Sequence, residues 1–302
     1  MSQTVLILGA SGRFGRHAAT AFQAQGWTVS RFDRARDDLM TAARGADVIV
    51  AGWNPAYPDW PDQVTRQHEQ IIEAARATGA TVLLPGNVYV FGPDTPAPWG
   101  SDTPHRATNR MGRIRVEMED AYRQSGVRTI LLRAGDFLDT EASGNWFDKI
   151  LTKSLDRGVF RYPGRPDIPH AWAWLPDFAR AAVNLAEMRD TLPSFIDIPF
   201  PGYTLSGQQM ADTLARVSPG PVRLKRMSWL PLVLASPVWP MGRCLREMRY
   251  LWDTPHWLDP CKFAEVLPDF QSTPVERALT RAIDRSSIQR QIDPDQTVPA
   301  GL

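Results

Sequence analysis

Short apolar runs alternate with longer segments of helical period over the first 138 residues. The β-branched or leucine-rich runs predict strands at Val5–Leu8, Thr28–Phe32, Asp47–Ala51, Thr81–Leu84 and Thr129–Leu132. Apolar residues at helical spacing between them predict helices at Phe14–Gln25, Asp38–Ala43, Gln63–Thr78 and Arg110–Gln124. This alternation is typical of a parallel sheet with crossover helices, so we predict an α/β fold with a doubly wound parallel sheet.

The pattern changes after residue 138, where tryptophan and proline become frequent. A helix at Pro176–Met188 is expected to return to the main sheet, and Leu205–Val217 and Thr273–Asp284 predict helices of a smaller region. We therefore predict a main domain over residues 1–185, to which segment 139–172 adds part of a cleft, and a smaller substrate domain over 186–302. Within the smaller domain, Trp229, Leu230 and Trp239 are expected to pack its core.

The first predicted strand runs directly into a glycine-rich turn, and a predicted helix follows. Tight turning, approach of the backbone to a pyrophosphate and close packing of helix on strand all require glycine here. The helix N-terminus would present free N–H groups to the phosphates. The sequence therefore predicts a Rossmann-type dinucleotide site in the turn formed by Gly9, Ala10, Ser11, Gly12, Arg13, Phe14 and Gly15.

The second predicted strand ends at an acidic residue, Asp33, 24 positions after Gly9. A carboxylate at this place accepts hydrogen bonds from the adenosine ribose and repels a 2′-phosphate, which favours NAD. Arg34 follows at once, and Arg13 and Arg31 lie nearby, so guanidinium groups could instead bind the 2′-phosphate of NADP. We predict NAD and leave NADP open.

Composition excludes some classes of partner. The formal net charge is +1, with 34 basic and 33 acidic residues interspersed, so no basic stripe suits a nucleic acid. No apolar stretch approaches the roughly 20 residues that cross a bilayer, because prolines interrupt the run from Leu230 to Trp239. The two cysteines form no metal pattern. We expect a cytoplasmic protein without a metal, a nucleic-acid partner or a membrane; the oligomeric state stays open, a homodimer being one option.

The chain resembles the extended short-chain dehydrogenase/reductases, the group that includes nucleotide-sugar epimerases and dehydratases. The matching segments cover about residues 4–185: Gly9–Gly15, Asp33, Ala46–Gly52, Val90–Pro93, Leu132–Phe137 and Trp174–Ala181. The resemblance implies a nicotinamide cofactor and a smaller substrate domain. It also implies that Asp47, Ala51, Gly52 and Trp53 lie along the adenine and ribose.

The sequence departs from this family at the catalytic residues. Asn87 stands where the family has a serine or threonine, and the Tyr-x-x-x-Lys motif is missing, because no tyrosine occurs between Tyr89 and Tyr122 and no lysine precedes Lys149. The nearest replacements are Asn109 with Arg113, or Met111 with Arg115, according to the register of the helix. We name Arg113 as the candidate for holding the cofactor ribose; an arginine cannot shuttle protons near neutral pH.

Other groups could supply the chemistry. Asp136 and Tyr89 follow predicted strands at the edge where α/β folds bind ligands, so they are candidate proton donors or acceptors, with Asn87 positioning a substrate oxygen. His170, Trp146 and Trp172 are candidate substrate contacts, because imidazole and indole rings suit an aromatic or quinone-like small molecule.

Two functions fit this sequence. The first is an NAD(P)-dependent oxidoreductase, or an epimerase- or dehydratase-like enzyme, that acts on a small molecule. The second is a catalytically silent NAD(P)-binding sensor that has kept the dinucleotide site. The missing Tyr-x-x-x-Lys motif favours the sensor, whereas Asp136 and the aromatic residues of the cleft favour the enzyme, which we predict.

Overall fold

The computed structural model describes residues 2–284 and confirms the doubly wound α/β fold. Six parallel strands form the main sheet in the order β2-β1-β3-β4-β5-β9. The strands of the chain are β1 Thr4–Leu8, β2 Thr28–Phe32, β3 Val48–Ala51, β4 Thr81–Asn87, β5 Thr129–Ala134, β6 Asp136–Leu138, β7 Val159–Tyr162, β8 Ala171–Trp174, β9 Phe195–Pro199, β10 Tyr203–Thr204 and β11 Arg223–Arg226.

The helices are α1 Arg13–Ala24, α2 Leu39–Ala42, α3 Trp60–Thr78, α4 Arg110–Ser125, α5 Leu175–Glu187, α6 Gly207–Val217, α7 Leu230–Ala235, α8 Pro240–Glu247, α9 Cys261–Val266 and α10 Val275–Ile283. All seven predicted helices are present with small changes at their ends, and the described residues contain three further short α-helices, α7, α8 and α9, that were not predicted. Gly79 and Gly126 end α3 and α4 with φ of +74°, which an L side chain would strain. None of the helices within residues 2–284 is long and apolar enough to cross a membrane.

The inner strands β1 and β3 are apolar on both faces because helices cover both sides, whereas the edge strand β2 is largely exposed. In β1, Val5 and Ile7 pack with α1 and α5, whereas Leu6 and Leu8 pack on the other face, with α3. The alternation in direction of successive side chains divides one apolar run between two separate cores. This is the reason that the strand reads as continuously hydrophobic.

A third core lies beyond the main sheet and is rich in aromatic residues. It is built around a three-stranded sheet ordered β10-β8-β6 and the parallel pair β11-β7, against which α6 and α10 pack. The main sheet draws its sixth strand, β9, from beyond residue 185, where we predict the first domain to end. In the smaller region Trp229 is buried as expected, but Leu230 is 61% and Trp239 42% exposed, so the prediction that they pack a core is wrong for these two.

The strand order places a crevice at the glycine turn. From β1 the chain crosses to β2 on one side, and β3 then pairs with β1 on the other side. Loops leaving the carboxyl ends of β1 and β3 therefore diverge, and α/β folds bind ligands in the crevice that results.

A buried ion network joins β5 and the edge strand β9 of the main sheet to α4. Arg133, on β5, is fully buried, and its Nη2 lies 2.8 Å from Oε2 of Glu119 on α4. The same nitrogen lies 2.5 Å from Oδ2 of Asp197 on β9, and Nη1 donates to the carbonyl of Asn87 at 2.6 Å. One guanidinium thus links β5 to the end of β4, to β9 and to α4.

Replacement of Arg133 by methionine is expected to lower the free energy of unfolding by about 3–5 kcal/mol, because two buried carboxylates lose their partner. Chemical denaturation measures the change. The matched control is Arg165→Met, which removes the exposed pair with Asp167 and should cost less than about 1 kcal/mol. Equal losses in the two variants would contradict a structural role for the network.

Candidate functional site

The glycine turn after β1 is shaped by close backbone contacts. Gly9 has φ of +75°, and a Cβ placed there would lie 2.8 Å from the carbonyl oxygen of Gly52. A Cβ on Gly15 would overlap the carbonyl oxygen of Gly9, because the first turn of α1 packs directly on the turn. These two glycines are therefore required by the fold itself.

Gly12 differs from both, because its backbone is extended, with φ of −74°, and a Cβ there meets only the Gly9 carbonyl, at 3.0 Å. It is the N-cap of α1, and no side chain caps the helix. The N–H groups of the first turn, including those of Arg13 and Phe14, belong to a helix N-terminus, which attracts anions. The phenyl ring of Phe14 is buried against Phe178, so Phe14 can offer a ligand only its backbone.

Asp33 and Arg34 lie at the carboxyl end of β2, where we predict the adenosine. The Asp33 side chain is half exposed; its Oδ1 accepts from the backbone N–H of Ala35 at 2.9 Å, and Oδ2 lies 3.6 Å from Arg36. The guanidinium of Arg34 lies 5.9 Å from the centre of the Trp53 ring. Trp53 follows the end of β3, and its ring also meets Phe32 of β2 edge to face at 5.2 Å.

Arg13 does not face this group. Its Nε donates to the Ser143 carbonyl at 2.9 Å and its Nη2 to the Gly144 carbonyl at 2.7 Å. The side chain thus joins the glycine turn to the loop after β6. The expectation that Arg13 could hold a 2′-phosphate is wrong in this conformation, because two carbonyls already take its donors.

The position of Asp47 also corrects an expectation. Its Oδ2 accepts from the backbone N–H of Thr4 at 2.7 Å, and Oδ1 lies 3.4 Å from Arg189. Thr4 begins β1 and Asp47 precedes β3, so this carboxylate lies at the amino edge of the sheet, opposite the crevice. It cannot contact an adenine or ribose from there, and Ala51, at the other end of the same strand, is only 1% exposed.

Three predicted groups meet at the carboxyl edge beyond β4 and β5. Asn87 ends β4 and accepts from the backbone N–H of Tyr89 at 3.0 Å, and Asp136 follows β5. The Tyr89 hydroxyl lies 2.6 Å from that of Tyr57. Burial is the main cause that raises the pKa of both phenols, and the nearby Asp136 carboxylate adds to it.

Sequence reasoning missed Tyr57. It stands six residues after the end of β3, at the same edge of the sheet. The available signal was its place in a loop directly after a predicted strand, which is where α/β folds put ligand contacts.

Asp136 is held by a buried histidine. The Oδ2 of Asp136 lies 2.7 Å from Nε2 of His170, and the carboxylate side chain remains 24% exposed. The His170 ring is stacked on Trp252 at 4.5 Å and meets His256 edge to face at 4.4 Å. Burial holds the pKa of His256 well below its ordinary value, and His170 beside it adds to the shift.

This arrangement corrects two of the predicted substrate contacts. His170 is 2% and Trp172 is 1% exposed, so neither ring is accessible to a substrate in this structure. Trp172 packs against His170 and donates its indole N–H to the Leu205 carbonyl. Trp146 is only partly buried and stays a candidate contact.

The register of α4 differs from the one we favoured. Arg113 is exposed, whereas Met111 and Arg115 are buried, so the second pair of replacements is the one that faces inward. Arg115 Nη2 donates to the Pro85 carbonyl on β4 at 2.9 Å, and its guanidinium lies 5.5 Å from the Trp60 ring centre. The assignment of Arg113 to the cofactor ribose is therefore wrong, because its side chain lies on the solvent face of the helix.

Two other groups of residues resemble binding sites but are already satisfied by their own contacts. His105, Glu119 and Asp197 bring ligand atoms within 4.8 Å of one another, but the Arg133 guanidinium is bound to both carboxylates and serves as their cation. A polar cavity of about 700 Å³ lies between residues 95–106 and α9. None of the predicted site residues lines it, and its Lys262 and Glu265 pair with each other.

No family model matches the sequence, and no curated protein does. Solved structures share its fold. MoeE5 in complex with UDP-glucose and NAD is 16% identical, with a TM-score of 0.73 over 96% of this chain and 100% of that chain. UDP-glucose 4-epimerase from Brucella ovis, in complex with NAD, is 17% identical, with a TM-score of 0.71 over 93% and 97%.

A third similar structure is an apo GalE-like L-threonine dehydrogenase from Cupriavidus necator. It is 18% identical, with a TM-score of 0.71 over 97% of this chain and 100% of that chain. Such identities establish the fold alone. The expected resemblance to extended short-chain dehydrogenase/reductases is thus confirmed at the level of the fold, over nearly the whole chain.

The glycine turn yields a prediction about stability. Gly15→Ala should lower the free energy of unfolding by about 1–3 kcal/mol, because its methyl group overlaps the Gly9 carbonyl. In Gly12→Ala the methyl group meets only the Gly9 carbonyl oxygen, at 3.0 Å, a much smaller overlap than at Gly15, so the free energy of unfolding should change by less than about 1 kcal/mol. Urea denaturation of both variants checks this, and a larger loss for Gly12→Ala would show that the turn is packed differently.

Proposed function

We propose that this protein binds NAD in the crevice beside the glycine turn and catalyses an oxidoreductase or an epimerase- or dehydratase-like reaction on a small molecule. The observation that carries the proposal is that the groups able to bind and react with such a molecule lie at one edge of the main sheet. The uncapped N-terminus of α1, the Asp136 carboxylate and the Tyr57–Tyr89 hydroxyl pair all lie at the carboxyl edge of one parallel sheet. A dinucleotide with its pyrophosphate at Gly12 would extend along this edge.

The charges at the end of β2 support NAD over NADP. Asp33 keeps a half-exposed carboxylate that would repel a 2′-phosphate, and Arg13 is bound to the loop after β6. Arg34 remains as a cation near Trp53 that could offset part of the repulsion. Two of the similar structures, MoeE5 and the Brucella ovis epimerase, were solved with NAD, which agrees with this choice.

Bound NAD would supply a hydride acceptor, and the chain's own residues would have to manage the proton. Because the pKa of Tyr89 is raised well above its ordinary value, Tyr89 keeps its proton near neutral pH and suits a hydrogen-bond donor rather than a base. One oxygen of the Asp136 carboxylate is bound to His170, and the side chain is partly exposed to the crevice. We therefore assign Asp136 the role of proton acceptor. We assign the side-chain amide of Asn87 the role of donating an N–H hydrogen bond to a substrate oxygen.

The buried surroundings of Arg115 suit a role beside the cofactor. It occupies the inward position on α4 that the family resemblance gives to the motif's lysine, and it is tied to the Pro85 carbonyl. An arginine stays charged at this position and can donate a hydrogen bond to a ribose hydroxyl. The motif's other function, lowering the pKa of a catalytic tyrosine, has no counterpart here because that tyrosine is missing.

For the substrate we propose a small molecule. An aromatic or quinone-like ring suits the accessible part of Trp146, the one predicted indole contact that is not buried. The nucleotide sugars bound by the similar structures form a second class for testing. The location in the cytoplasm and a homodimeric state stay predictions.

A sensor without catalysis is the second candidate. It is favoured by the burial of Tyr89 and the partial burial of Tyr57, and by the hydrogen bond that joins the two hydroxyls. In that case NAD would bind with no turnover of any carbonyl, quinone or sugar substrate.

Titration calorimetry tests the cofactor. The wild type is expected to prefer NAD to NADP by about tenfold, roughly 1.4 kcal/mol, and Gly12→Val should abolish binding of both by filling the space beside the first turn of α1. Gly220→Val is the matched control, since a Cβ there meets no atom within 4 Å. Unchanged affinity in Gly12→Val would remove the proposed site.

Asp136→Asn tests the chemistry once a substrate is known. The amide keeps the shape and a hydrogen bond with His170 but cannot take a proton, so kcat should fall by about 10²-fold or more with NAD affinity unchanged. Asp94→Asn, an exposed change outside the crevice, is the control. Unaltered turnover in Asp136→Asn would exclude this carboxylate from proton transfer.

A further inference from the structure

The exposed large hydrophobic side chains of the protein are concentrated in one place. Six such side chains are exposed within residues 2–284, and five of them lie between positions 230 and 239. The most exposed are Val238 at 87% and Leu234 at 70%. Large apolar side chains exposed within one short segment of the chain indicate an interaction site rather than ordinary surface.

The segment that carries these side chains is a short helical hairpin, which we call the apolar hairpin and define as residues 230–243. It comprises α7, a turn with Pro237, and the start of α8. Trp229 anchors its first end, because that ring is buried and donates its N–H to the Pro163 carbonyl at 2.5 Å. Beyond its other end, Glu247 accepts from the N–H groups of Asn109 and Met111 on α4.

Basic residues flank the apolar hairpin in the sequence, although one of them, Arg216, is paired with Glu276. From Thr213 to Arg246 the sequence has six arginines and lysines and not a single aspartate or glutamate. The chain has nearly equal numbers of acidic and basic residues overall, so this segment is set apart from the rest. The basic residues are Arg216, Arg223, Lys225, Arg226, Arg243 and Arg246.

Strand β11, which leads into the apolar hairpin, presents part of this charge. Its pairing with β7 sets Lys225 beside Arg161, and both are exposed, while their neighbour Phe160 is buried on the opposite face. Arg223 and Arg226 on the same strand are also exposed. The strand pair therefore has a cationic outer face next to the apolar surface.

We propose that the apolar hairpin docks on the surface of a lipid bilayer that contains anionic headgroups. Exposed leucine, valine and tryptophan beside clustered lysine and arginine are the features that hold peripheral proteins at this interface. A second copy of the chain fits less well, because facing patches would bring like charges together. Six-residue α7 lies on the interface, since crossing needs roughly 20 residues.

This proposal goes beyond the function proposed above and revises the expectation that no membrane is involved. It also has a bearing on the cleft. The Trp229 ring at the base of the apolar hairpin lies 6.0 Å from that of Trp146, the accessible candidate for substrate contact. Docking would therefore bring the cleft close to the headgroups.

Flotation of the full chain with vesicles tests the proposal. The protein should float with vesicles of phosphatidylcholine containing about one-third phosphatidylglycerol and stay behind with pure phosphatidylcholine. Raising the salt from about 0.1 M to about 0.5 M should weaken the binding, because screening shortens the range of the charges.

Two sets of variants separate the apolar and the charged contributions. Leu234→Ser with Val238→Ser should weaken binding about tenfold or more; the control is Met40→Ser, the sixth exposed large hydrophobic residue. Replacing Arg223, Lys225 and Arg226 by glutamine should weaken it about 10²-fold. The control with the same change in charge replaces Arg44, Arg66 and Arg277, which are exposed elsewhere.

Each alternative has its own outcome. Equal binding to neutral and anionic vesicles, or no loss in the apolar and charged variants, would overturn the proposal. Absence of vesicle binding would also overturn it. If, in that case, native mass spectrometry showed that the apolar double variant converts a dimer into a monomer, the patch would be identified as an interface between copies of the chain.

Discussion

Arg133 carries a charge into the interior of the protein, and the surrounding structure is arranged to stabilise it. A buried guanidinium is tolerated only where carboxylates and carbonyls take its donors. Here Glu119 comes from α4, Asp197 from β9, and the carbonyl of Asn87 from the end of β4. Burial raises the pKa of Asp197, an effect that the adjacent Arg133 opposes.

The candidate site is built on this network. The backbone carbonyl of Asn87 accepts a hydrogen bond from Arg133, and Asp136 follows Arg133 by only three residues. Between them Gly135 lies against the Ala171 carbonyl, so the chain can pass from the main sheet into the small one only without a side chain there. The ion network therefore fixes both the end of β4 and the point where Asp136 enters the crevice.

The aromatic residues have a different role from the one their sequence pattern indicates. His170, Trp172, Trp252 and His256 pack into a buried cluster beneath Asp136 rather than lining the crevice. The cluster leaves His170 with its Nε2 directed at the carboxylate, so it orients Asp136 through a hydrogen bond. Such support from behind a reactive group keeps its geometry fixed while the group itself stays accessible.

Local pattern was enough to predict five of the six strands of the main sheet, the glycine turn and the position of Asp33 after β2, because periodicity, helix caps and turn glycines act over only a few residues. It could not predict that Asp47 lies at the far edge of the sheet, that Arg115 rather than Arg113 faces inward, or that Tyr57 pairs with Tyr89. Each of these depends on which distant strand or helix packs against the residue. Likewise, the apolar run from Leu230 to Trp239 reads as core in the sequence, and only the tertiary structure leaves most of its large side chains exposed.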